Sequence, residues 1–309
     1  MTIATSPRKP LFALLMSLVL PGFGQLYNGE VNKAIWLFLG FAFFFGGPVD
    51  SMIALHLHGA AMMLGLVIGL LLTIAIWLFG MADGWRSAAR RQGYQPQRWQ
   101  ISGMYVLVFI LCNVLVMPIV IVGVRSHLVE SFRIPSSSMI PTLLPGDFIF
   151  ADKRYNCPVC KYPIRRGDIV IFTNPNDRTM YFVKRIIGLP GDRVQISSHA
   201  VSINGKSLVS NEVATPHGAQ VVEGDGARQW QVLWKSTDTP LPEPDVTVPA
   251  GQAFVLGDNR NGSVDSRSFG TIPMQDVVGK VRQIWFSYGD SGVRWNRLGD
   301  VAEPASIPR

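Results

Sequence analysis

Two stretches, residues 59–82 and 101–124, each run 24 residues without a charged side chain. At 1.5 Å rise per residue, a helix of that length is about 36 Å long. A bilayer's hydrocarbon core is roughly 30 Å thick, so each stretch can cross it with some tilt. A helix buried in a globular core is the bland alternative, and such helices rarely run this far without a charge. Asn113 and Pro118, inside the second stretch, are tolerable in lipid where neighbouring groups satisfy the backbone they disturb.

Two earlier stretches are weaker. Residues 34–48 are apolar but short, and residues 10–27 are broken by Pro21-Gly22. Arg8 and Lys9 before an apolar run imitate a secretory signal, but no A-x-A-like cleavage site follows, so the segment reads as uncleaved. The run LPGFGQLYNGEVNKAIWLF resembles the short hydrophobic hairpins of small membrane modules, a likeness that assigns no activity. The expectation is a membrane domain over residues 1–125 with about four hydrophobic segments (10–27, 34–48, 59–82 and 101–124).

Charge divides the chain in the same place. Residues 1–125 hold eight of the 28 Lys and Arg and three of the 21 Asp and Glu, so +5 of the formal +7 lies there. The basic balance therefore belongs to membrane-flanking segments. No Lys/Arg stripe interleaved with aromatics marks the remainder, which speaks against nucleic acid as a partner. Residues 85–100 carry Arg86, Arg90, Arg91 and Arg98 with no acid, which places that loop in the cytoplasm by the positive-inside rule. The 101–124 stretch then carries the chain across the membrane, so residues 126–309 are expected on the periplasmic or extracytoplasmic side of a bacterial inner membrane. Four spans would put Arg8 and Lys9 outside, against that rule; three would put them inside.

From residue 126 onward the helical period fades. Short β-rich runs appear at 148–151, 168–172, 181–187, 193–196, 201–203, 229–234, 253–256 and 277–286, separated by Gly, Pro, Asn and Asp. Pro190-Gly191-Asp192 and Asn204-Gly205 are turn signals. A mostly antiparallel β domain is expected, with an insertion around 205–250 and a loose tail from 298.

Four stretches hold residues able to do chemistry. Ser136-Ser137-Ser138-Met139-Ile140-Pro141-Thr142-Leu143 begins like a linker, but its apolar residues would be costly to expose together. Arg166-Gly167-Asp168 is a turn entering a buried strand. In residues 181–192, strand alternation puts Lys184 on the face of Phe182 and Ile186. There it is either a snorkelling lysine on an edge strand or a desolvated amine. Burial disfavours its charged form, and lowering its pKa from about 10.4 to about 8 takes roughly 3 kcal/mol. A neutral amine of that kind can take a proton from a serine hydroxyl. In residues 257–267, Asp265 and Arg267 are spaced to brace one another as an ion pair, although a polar loop with an Asn-Gly turn is the plainer account. No histidine competes convincingly as a base: His56 and His58 lie beside membrane stretches, His127 at the membrane exit, and His199 and His217 in turn-rich segments.

Taken together and in this order, S-S-S-M-I-P-T-L, R-G-D-I-V, Y-F-V-K-R-I-I-G-L-P-G-D and G-D-N-R-N-G-S-V-D-S-R resemble the boxes of bacterial type I signal peptidases. These are membrane-anchored serine proteases with a Ser–Lys dyad and a β catalytic fold. The likeness covers roughly residues 130–290. It implies that Ser138 is the nucleophile and Lys184 the general base. Ser136 would complete the oxyanion hole with the Ser138 N–H, Ser263 would hydrogen-bond the lysine amine, and Asp265 and Arg267 would form a supporting salt bridge. Ser137 stands where the family often has glycine. The implied activity is removal of signal peptides from secretory preproteins with A-x-A-like sites, at the bilayer and close to the secretion machinery, with neither cofactor nor metal. The alternatives are a catalytically idle membrane-tethered β module that binds exported proteins and a self-cleaving repressor-like relative, the latter disfavoured by the membrane stretches.

Three cysteines cannot staple a chain of this size. Cys157-Pro158-Val159-Cys160 is half a zinc-ribbon motif without its second half, and a local disulfide clasping the loop is the preferred reading over a redox role. Cys112 lies in a membrane stretch and reads as packing.

Overall fold

The computed structural model describes residues 7–46, 59–155, 163–197, 200–215, 218–226, 228–235 and 241–301. Cys157, Cys160, His56, His58, His199 and His217 fall outside them. The chain divides into two compact units, Met1–Ser126 and His127–Arg309.

The first unit is helical. Its helices are α1 (Pro10–Val19), α2 (Phe23–Tyr27), α3 (Val31–Gly46), α4 (Gly59–Ala89) and α5 (Ser102–His127). Most of α4 and the whole of α5 are long and apolar enough to cross a membrane, at Met63–Ala89 and Ser102–His127. Both carry large apolar side chains outward, among them Leu64, Leu70, Phe79, Val114 and Ile119, as lipid rather than water would require. α5 is wound as a π-helix over Leu111–Val116, just before Pro118. The proline ring excludes the normal bond to the preceding turn, and the wider winding accommodates it.

The break between α1 and α2 follows from sequence. Pro21 cannot donate a helical bond, and Gly22 takes a left-handed conformation with φ +95°, where an added Cβ would stand 2.4 Å from the Ala34 carbonyl oxygen. Residues 10–27 therefore form a hairpin of two short helices. Its polar side chains turn inward: Gln25 donates to the Gly80 carbonyl (2.8 Å) and to Asp83 (3.0 Å), and Asn28 donates to the Gly84 carbonyl (2.8 Å).

The second unit is built on antiparallel strands: β1 (Val129–Arg133), β2 (Asp147–Asp152), β3 (Ile169–Thr173), β4 (Tyr181–Gly188), β5 (Arg193–Ser197), β6 (Ala200–Ile203), β7 (Lys206–Ser207), β8 (Val209–Thr215), β9 (Gly218–Gly224), β10 (Gln229–Lys235), β11 (Asp245–Thr247), β12 (Gln252–Leu256), β13 (Ile272–Pro273), β14 (Val277–Gly289), β15 (Gly292–Val293) and β16 (Gly299–Asp300). The principal sheet has the order β1-β2-β14-β3-β4-β12-β13, with β15 and β16 also paired to β14. β8, β9 and β10 form a separate three-stranded sheet, and β11-β5-β6-β7 a third. A one-turn helix, α6 (Ser266–Phe269), follows β12.

Alternating side chains feed two cores from the principal sheet. Ile149, Ala151, Ile169, Ile171, Val281 and Ile284 meet Ile134, Met139 and Leu143 in one. Val170, Phe172, Ile186, Val255 and Ile272 form the other. The inserted strands have a core of their own, with Trp230, Val232 and Trp234 packed against Ile187, Phe254 and Leu256 of the principal sheet.

Candidate active site

The serine triplet leaves the end of β1 and is pinned by its apolar neighbours. Ile134, Met139 and Leu143 are all buried in the core below, which fixes the turn between them. Met139 is only 1% exposed and belongs to that core. Ser136 and Ser137 face outward, while Ser138 is buried. The loop after β12 holds the turn from the other side: the Asn259 N–H donates to the Ser138 carbonyl and the Asn259 side-chain amide to the Ser137 carbonyl, each at 3.1 Å.

Lys184 lies mid-way along β4, opposite Val170 of β3. It is 4% exposed, in a row with Phe182 and Ile186, as the alternation indicated. Its Nζ is 2.9 Å from Ser138 Oγ. The Phe182 ring lies beside the amine, 5.4 Å from it. Burial pushes the Lys184 pKa down to about 8, against the partial opposition of the Asp265 and Asp258 charges, and Arg267 adds to the depression. Ser136 Oγ is 3.2 Å from Ser138 Oγ.

Behind the dyad stand two buried ion pairs. Arg267 grips Asp265 through Nε and Nη2, each at 2.8 Å, and Asp265 also accepts from the Gly257 N–H at 3.0 Å. Arg185, next to Lys184, forms a fork on Asp258 at 2.8 and 2.6 Å. Thr142 donates to the same carboxylate. Gly257 is required by close approach: an added Cβ would lie 2.2 Å from Ser263 Oγ and 2.6 Å from the Ser138 carbonyl oxygen.

The sequence profile of the signal peptidase S26 family matches residues 105–286, more than half the chain and all of the residues just described. The chain belongs to the peptidase S26 family. A signal peptidase I from Pseudomonas aeruginosa is 34% identical over 197 residues, 55% of this chain and 69% of its own length. One from Rickettsia typhi is 33% identical over 214 residues, 58% of this chain and 77% of its own. A solved signal peptidase I from Enterococcus faecalis shares 31% identity, covering 38% of this chain and 95% of that one, with a TM-score of 0.27.

Within this S26 chain the structure gathers Ser136, Ser138 and Lys184 at one point and pairs Asp265 with Arg267 close behind them. Ser263 differs from what the resemblance implied. Its Oγ is buried without a hydrogen-bond partner among the described residues, turned toward Gly257, and Lys184 reaches Ser138 instead. Among the described residues, no group of three or more His, Cys, Asp and Glu side chains is placed to hold a metal ion.

The sequence reading gave no role to three supporting residues: Arg185, Asp258 and Glu223. Glu223, on β9, is fully buried and forms an ion pair with the equally buried Arg260. A signal was present, because Ala219, Val221 and Glu223 alternate on one inward face of the strand.

Proposed function

We propose that this chain is a membrane-bound serine endopeptidase that removes N-terminal signal peptides from exported preproteins, with Ser138 as nucleophile and Lys184 as general base. The observation that carries the reading is the 2.9 Å contact between a buried, desolvated lysine and a buried serine hydroxyl. In its neutral form Lys184 accepts the Ser138 proton as Oγ attacks the scissile carbonyl carbon. The negative charge passes to the carbonyl oxygen, where the Ser138 N–H and the Ser136 hydroxyl stabilise it. Collapse breaks the C–N bond, and the Lys184 ammonium returns its proton to the leaving amine. Lys184 then takes a proton from water, the hydroxide displaces Ser138 from the acyl group, and the serine recovers its hydrogen. A Ser–Lys pair of this kind needs no histidine. An extended substrate with small residues at an A-x-A-like site would lie against the exposed backbone at Ser136 and Ser137 as an added strand.

The topology we infer follows from the hairpin of α1 and α2. α1 has ten residues, about 15 Å, half of a bilayer's hydrocarbon thickness. The two ends of the segment meet the same loop. The Arg8 N–H donates to the Arg91 carbonyl at 3.2 Å, and Glu30 pairs with Arg91 at 2.8 Å. Residues 10–27 thus enter and leave the membrane on one face. Arg8 and Lys9 then join Arg86, Arg90, Arg91 and Arg98 on the cytoplasmic side, with the catalytic unit opposite.

Two experiments test these readings. Purified full-length protein should cleave a precursor peptide, and Ser138→Ala and Lys184→Ala should each abolish cleavage; wild-type rates in either variant would overturn the dyad. Cysteine-accessibility labelling should place residues 8 and 92 on one side of the membrane and residue 130 on the other. Residue 8 on the side opposite residue 92 would overturn the re-entrant hairpin.

A further inference from the structure

β10 presents Trp230 and Trp234 on one face, both nearly inaccessible to solvent. Each carries an arginine: Arg185 lies 5.3 Å from the Trp230 ring, and Arg260 lies 5.2 Å from the Trp234 ring. These arginines belong to two buried ion pairs. Arg185 holds Asp258, and Arg260 holds Glu223, whose carboxylate also accepts from Trp230 Nε1 at 3.1 Å. The strand grips the loop after β12 through backbone as well. Leu233 N–H donates to the Asp258 carbonyl at 2.8 Å, and Lys235 N–H donates to the Asn261 side chain at 2.8 Å. From Arg260 the contacts run on to the dyad, since its Nε donates to the Gly257 carbonyl at 3.2 Å and its own carbonyl accepts from Arg267. Gly257 is the residue packed against the Ser138 carbonyl, and Asn259 bonds to it directly.

We propose that the β9–β10 hairpin is a positioning element of the active site, acting through Glu223 on Arg260 to hold the 257–263 loop against Ser138 and Lys184. This gives a job to a segment that carries no reacting group. It rests on the Ser138–Lys184 reading. A carboxylate and a guanidinium that are both fully buried serve poorly as simple stabilisers, because apolar residues of similar volume often stabilise a core as well or better. What the pair supplies that apolar residues cannot is direction: an Arg260 head fixed at one end by Glu223 leaves its Nε aimed at the Gly257 carbonyl.

The test separates position from stability. Glu223→Gln strands a buried guanidinium, so it is paired with the double variant Glu223→Leu/Arg260→Met, which removes both charges and fills the space. Both are assayed as full-length protein in detergent, with a fluorogenic peptide bearing Ala at the −3 and −1 positions. The double variant should unfold at or above the wild-type temperature. Its kcat should fall by about 10- to 100-fold, the scale of a displacement near 1 Å, with KM changed less than about threefold. Its acid limb should move upward from about pH 8 as water reaches Lys184. A double variant that is folded and retains wild-type kcat and pH profile would overturn the proposal. Ser138→Ala and Lys184→Ala run alongside. If they lose cleavage while the double variant does not, the positioning role alone falls; if they retain cleavage, the dyad falls first.

Discussion

Two lysines are buried in the strands that flank β3 of the principal sheet, each paired with the same residue of β3. Val170 of β3 pairs with Lys184 of β4 on one side and with Lys280 of β14 on the other. Burial lowers the pKa of both. The difference lies in the nearest oxygen. Lys280 Nζ is 2.7 Å from Asp168, which also binds Arg228 at 2.6 Å. Lys184 Nζ is 2.9 Å from a neutral hydroxyl, and its carboxylate neighbours Asp265 and Asp258 are each occupied by an arginine. Desolvation alone therefore does not make a base. On the function proposed above, it makes one where the carboxylates that would keep the ammonium charged are already bound elsewhere.

The largest effect should break the symmetry of the two lysines. Lys184→Met is expected to lower turnover by on the order of 10⁴-fold or more, as loss of a member of a catalytic unit does in other serine proteases. Lys280→Met should stay within about threefold of wild type, because nothing near it reacts. Steady-state cleavage of one precursor peptide by both variants makes the measurement. Comparable losses would mean that the sheet, and not the Lys184 contact, sets the rate.

The hydroxyl side of the comparison gives the next largest effect. Ser136 Oγ stands 3.2 Å from Ser138 Oγ, the proposed nucleophile, and on the open side of the site. Ser136→Ala should cost about 100- to 1000-fold in kcat, the usual consequence of losing one oxyanion donor, with KM and unfolding temperature little changed. Full activity would remove Ser136 from the reaction.

The pH profile sharpens the contrast further. Turnover should rise along an acid limb with its midpoint near pH 8, where Lys184 loses its proton. About a tenth of the lysine is neutral one unit below that midpoint, so activity at pH 7 should be about a tenth of its plateau. Lys280→Met should leave the limb in place; a limb that moves with Lys280 would mean that the two lysines titrate as one system.

Legibility in the sequence tracked locality. The two long membrane stretches, the β character of the second unit and the inward face of Lys184 are short-range patterns, and each was readable from 20 or so residues. The α1–α2 break was readable too, from Pro21-Gly22, although the hairpin it makes needed the contacts with residues 80–91. The brace was not readable, because its partners are 37 residues apart for Glu223 and Arg260 and 73 for Arg185 and Asp258. A carboxylate on a strand reads as a solvated side chain until the partner that neutralises it is known. Ser263 is the opposite case: its role comes by likeness alone, no short-range pattern assigns it a bond to Lys184, and its Oγ makes no hydrogen bond among the described residues. β1, with the sequence VESFR, was missed because a short edge strand of mixed polarity has no alternation to display.

The smallest effect is on stability, and its size separates the two lysines. The folded-state pKa of Lys184, about 8, lies below the unfolded value near 10.4. Between those values the folded chain holds fewer protons than the unfolded one, so stability rises with pH through that window. Below about pH 8 the full cost of burying the ammonium is present, about 3 kcal/mol. Lys184→Met removes that cost. It should therefore unfold at a higher temperature than wild type at pH 7, with the advantage shrinking as the pH climbs from 8 toward 10. Lys280→Met should gain less, because Asp168 at 2.7 Å already offsets part of the cost of burying that ammonium, and the variant leaves the carboxylate to Arg228 alone. Thermal unfolding of both variants at pH 7 and pH 10 decides the matter. A Lys184→Met variant less stable than wild type at pH 7 would show that the amine is held as a cation by its surroundings, and the base assigned to Ser138 would have to be sought elsewhere.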